Sequence, residues 1–151
     1  MSTIMIFQWD FYFQKKFVPE CVREIRVQLG KFLLNPDAKS LDCHGACSIA
    51  GVKLDKKNEP GHEELVGAPI VTSPVSRVVR QAAGDDILIV ETVTGCEYCI
   101  RSMDFHSGLT HMRELYKRLA TADIHSMIYA QELCDERTKY PRILWEKSED
   151  A

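Results

Sequence analysis

The sequence predicts an α+β fold: a mostly antiparallel sheet with two main helices packed on one face, in a single domain over residues 1–147. Three observations carry this. An aromatic segment near the start alternates with period two. Residues 19–34 repeat apolar side chains at helical spacing. From Pro69 to Phe105 the chain is rich in β-branched residues and broken by turn residues.

Within Ile4–Phe13, Met5, Phe7, Trp9, Phe11 and Phe13 share one face, and Gln8, Asp10 and Tyr12 the other, as in a half-buried strand. The aromatic face reads as core, with a stacking platform as the competing reading. Pro19 suits a first helical turn, and Val22, Ile25, Leu29, Phe32 and Leu33 form an apolar stripe that Asn35–Pro36 ends. Residues 36–64 are polar and punctuated by Pro36, Gly45, Gly51, Pro60 and Gly61, which predicts a long irregular loop with a short strand at Ala50–Leu54.

Val75–Gln81 reads as a strand paired with Ile87–Val93; the competing pattern is a helix started by Ser73–Pro74 and stopped by Gly84. Thr94–Gly95 suits a tight hairpin turn into Cys96–Phe105. Ser107 can cap a second helix over 108–121, with Leu109, Met112, Tyr116, Leu119 and Ala120 as its stripe and Arg113, Glu114, Lys117 and Arg118 as its wet face. Ile124–Cys134 fits helix or strand, Arg142–Lys147 reads as a last strand, and residues 148–151 as a frayed tail. Thr72–Val75, Thr92–Gly95 and Tyr98 together resemble a two-strand signature of uncharacterised bacterial and phage proteins, a group that brings no activity with it.

Among the 151 residues, 45% are hydrophobic and 27% charged, which excludes collagen-like, low-complexity and wholly disordered chains. Residues 1–75 hold 9 basic and 9 acidic side chains, and residues 76–151 hold 10 and 13, so neither half offers the basic field that a nucleic-acid backbone requires. The longest uncharged stretch, Leu65–Ser76, has twelve residues, well short of the roughly 20 that span a membrane. Met1–Phe13 lacks the basic start and cleavage site of a signal peptide. The expected setting is the cytoplasm, where six cysteines stay unpaired.

Cys43, Cys47, Cys96 and Cys99 make two close pairs, the donor set that tetrahedral zinc takes, although an extended strand would point Cys96 and Cys99 to opposite faces. Cys96-Glu97-Tyr98-Cys99 lacks the helix N-terminus that activates a redox pair. His44 beside Cys47 suggests cysteine–histidine chemistry, and His106 with Asp104 an acid/base pair. The phosphate-loop, dinucleotide, nucleophile-elbow and H-E-x-x-H motifs are absent. The leading expectation is therefore a non-catalytic protein-binding module of bacterial or phage origin, without a cofactor or membrane. It would bind a protein partner and self-associate through the N-terminal edge strand. The alternatives are a zinc-stabilised domain on the four cysteines, touching nucleic acid, and a small thiol-dependent or hydrolytic enzyme around Cys47 and His44.

Overall fold

The aromatic N-terminal segment serves two sheets. In the computed structural model, which describes residues 3–13, 19–59, 62–81 and 86–138, this segment forms β1 (Ile4–Met5) and β2 (Phe7–Tyr12). The register of β2 slips between Phe7 and Asp10, where Gln8 takes a φ of 50°. One extra residue turns a period-two strand over. Met5 and Phe7 therefore enter one core cluster, while Ile6, Trp9 and Phe11 enter another, in place of the single aromatic face expected. Gly51 lies against this bulge. A Cβ there would stand 2.5 Å from the Phe7 carbonyl oxygen and 3.2 Å from the Trp9 Cα, so only glycine admits the approach.

The first helix, α1 (Pro19–Leu34), has the expected bounds and buries Ile25, Leu29 and Phe32. The expected irregular loop at 36–64 is instead mostly strand: β3 (Ser40–Asp42), β4 (Ser48–Glu59) and the first three residues of β5 (His62–Val71). The reason is visible along β4. Its first residues are buried, but Asp55, Lys56 and Lys57 are exposed, so the outer hairpin has the polar composition of a loop. Only the half-buried portion around Ala50–Leu54 carries an apolar signal.

The β texture after Pro69 resolves as expected into β6 (Val75–Arg80), β7 (Ile87–Thr92) and β8 (Glu97–Arg101), antiparallel in sequence, with Gly95 at a φ of 87° in the last turn. The segment expected as a strand running to Phe105 ends earlier, in a 3-10 turn at Ser102–Asp104. The five-stranded sheet runs β1-β8-β7-β6-β3 and the three-stranded sheet β2-β4-β5, all antiparallel except β1 with β8. The helices α2 (Met112–Ala120) and α3 (Ile124–Thr138) complete the described fold, and α3 decides the undecided segment at 124–134. Ser107 does not cap α2; His111 occupies that position without a side-chain bond. The expected strand at 142–147 and the tail at 148–151 lie outside the described residues.

The α+β class and antiparallel pairing are as expected, but the helices divide between two cores. Helix α1 packs with Trp9, Phe11, Val78, Leu88 and Val90. Helices α2 and α3 supply Leu115, Met127 and Ala130 to the other core, with Phe7, Val52 and Ile89. Strand β7 alternates between the two, Ile87 and Ile89 one way and Leu88 and Val90 the other. Cys99 is disulfide-bonded to Cys134 of α3 in the second core. The expectation of six unpaired thiols is corrected there: a helix on β8 brings together sulfurs 35 residues apart.

Candidate functional site

The candidate chemical residues do not assemble. Cys43 and Cys47 are buried in the first core, Cys99 in the second, and Cys96 is exposed in the β7–β8 turn. The four sulfurs are thus distributed over two cores and a surface turn. Among the described residues, no three His, Cys, Asp or Glu side chains gather as a metal site. The His44 side chain is 78% exposed and pairs with Asp42 at 3.3 Å, whereas Cys47 is buried in the first core. His106 uses its backbone: its N–H donates to the Trp9 carbonyl and its carbonyl accepts from Arg118 Nη2. The Asp104 carboxylate forms an ion pair with Arg101 at 3.6 Å, and its buried Oδ2 has no hydrogen-bond partner among the described residues.

What the sequence hid is a buried polar bracket that closes the outer edge of β2. Asp10 is 2% exposed; its two carboxylate oxygens accept the Phe11 and Leu109 N–H groups. Arg118, expected on the wet face of its helix, is buried and donates to the carbonyls of Gln8 and His106. Burial lowers its guanidinium pKa, opposed by the nearby Asp10 charge. An arginine with five donors can be buried when carbonyls receive them, and a periodicity reading has no means of distinguishing that use from a solvated one. Asp10 does leave a sequence signal, as a lone acid in an apolar strand. A second polar patch lies near the end of β8. Asp86 accepts the Met103 N–H, and burial raises its carboxyl pKa against that bond and the nearby Arg101.

Strand β1 is closed as well. Gln131 of α3 accepts the Met5 N–H through Oε1 and donates from Nε2 to the Thr3 carbonyl, imitating a neighbouring strand. The edge expected to invite pairing is therefore engaged within the chain. Strand β3 is an edge of three residues.

Strand β5 differs: it is an edge of ten residues. The Thr72 N–H donates to the Ile49 carbonyl, which sets the phase of the ladder. Antiparallel pairs alternate between bonding to each other and facing outward. With Ala50 opposite Val71, the pairs 51/70, 53/68 and 55/66 bond across the hairpin. Leu65, Gly67, Pro69 and Val71 then turn their backbone groups away from β4. Among the described residues none of these outward groups has a hydrogen-bond partner. Pro69 fits this phase, because it has no N–H to present. Leu65 also joins Ile4, Leu54 and Ile128, with the polar Thr3, Asp55, Lys56, Gln131 and Glu132, in lining a groove of about 340 Å³.

No family model, curated protein or solved structure matches this chain. No helix among the described residues is long and apolar enough to cross a membrane.

Proposed function

We propose that the chain is a non-catalytic protein-interaction module that takes an extended segment of a protein partner by strand addition to β5. The observation that carries this is the row of outward backbone groups on Leu65, Gly67, Pro69 and Val71, beside edges β1 and β2 that the chain closes with its own side chains. Main-chain hydrogen bonds would supply affinity, and the exposed Leu65 and Val71 side chains would add apolar contact. The reading needs no particular compartment.

Selection of random peptides on the immobilised protein tests the reading. Leu65→Pro removes an outward donor without touching the bonds to β4. Selected peptides are expected to lose binding to Leu65→Pro and keep it with Leu65→Ala. Peptides that bind the proline variant as well as the parent would contradict strand addition.

A further inference from the structure

We infer that the strand added to β5 is β5 of a second copy of this chain, in an antiparallel two-fold pair centred on Gly67. The inference rests on the strand-addition reading above and adds the partner and the register. An antiparallel pairing of one strand with itself is closed by a two-fold axis and leaves no further edge of that strand open.

Charge and proline together select the register. Centring on Gly67 sets Leu65 opposite Pro69 of the second copy, Val66 opposite Ala68 and Glu64 opposite Ile70, so no charged residue faces a like charge. The two Glu64 residues stand six positions apart, about 20 Å at 3.4 Å per residue, beyond the screening length of physiological salt. Centring on Leu65 would bring them to diagonal neighbours about 7 Å apart. Centring on Pro69 would set two donor-less residues against each other. The Gly67 register also overlaps nearly the whole of His62–Val71. It joins the two small sheets into one of six strands, with α2 and α3 of both copies on the same side. Leu65 and Val71, both exposed in the single chain, gain strand neighbours there.

Sedimentation across the micromolar range tests the pair, on the full chain. The parent is expected to pass from 17.2 kDa to twice that mass as concentration rises. Leu65→Pro and Val71→Pro should stay monomeric with unchanged melting. Pro69→Ala, which restores an outward donor, should lower the midpoint concentration at least about fivefold, the worth of one or two net hydrogen bonds. The double variant Val66→Cys with Ala68→Cys fixes the register independently. Under oxidised glutathione it should cross-link dimers beyond the parent's background. A parent that is monomeric throughout, or a dimer indifferent to both proline variants, overturns the second copy; a double variant that fails to cross-link overturns the Gly67 register. If the parent is monomeric while selected peptides still bind in a proline-sensitive way, strand addition stands and only the second copy falls. If peptide binding is also indifferent to proline, both fall.

Discussion

Asp10 holds two backbone donors, the Phe11 N–H beside it and the Leu109 N–H, 99 residues away in the loop before α2. It also offsets the buried charge of Arg118. Asp10→Ala strands both donors and leaves Glu114 as the one acidic charge that offsets the buried guanidinium. It should therefore lower stability by about 3–5 kcal/mol in chemical unfolding. Asp10→Asn, which keeps one acceptor oxygen, should cost less. Asp86 behaves in the opposite sense. Burial raises its carboxyl pKa, so the folded state binds the proton more tightly than the unfolded chain does. The stability tied to this group is present at acid pH and declines as pH rises through the window above the ordinary carboxylate value. Asp86→Asn keeps an acceptor for the Met103 N–H, and should melt higher than the parent at neutral pH. The two should converge as the pH falls below about 4, the unperturbed aspartate value. A variant that melts lower at neutral pH would show that the Asp86 charge is stabilising.

Elements whose faces differ in polarity were legible. Helix α1 has its expected bounds because Ile25, Leu29 and Phe32 are both periodic and buried. The β4–β5 hairpin was not, because its outer half meets water on Asp55, Lys56, Lys57 and Glu64 and so resembles a loop in composition. Helix α2 turns inward a different face from the one its stripe predicts: Leu115 and Arg118 are its buried residues, while Tyr116 is exposed. The bulge at Gln8 was hidden too, since its cause is the close approach of Gly51, which only the pairing reveals. Gly51→Ala would push a Cβ onto the Phe7 carbonyl and break the β2–β4 register; a melting point close to the parent's would contradict that account of the bulge. The bond from α3 to β8 closes a loop of 35 residues. Cys134→Ala should cost about 2–4 kcal/mol relative to the oxidised parent and show no further loss on adding reductant.

At the scale of the whole molecule, the fold divides its work. One core joins α1 to the sheets and the other joins α2 and α3 to them, while β7 takes part in both. That division frees α3 to cap β1 through Gln131 and α2 to cap β2 through Arg118. The candidate site lies at the long edge left over, β5. No sequence motif marks it, because the groups it offers are backbone groups and their direction depends on the register with β4. The most direct measurement is residue-resolved amide exchange in dilute, monomeric protein. Val66, Ala68 and Ile70 should exchange slowly and Leu65, Gly67 and Val71 quickly, with the fast set becoming protected when a partner strand is added. Slow exchange at Leu65, Gly67 and Val71 in the isolated monomer would mean the edge is already occupied and would contradict the account.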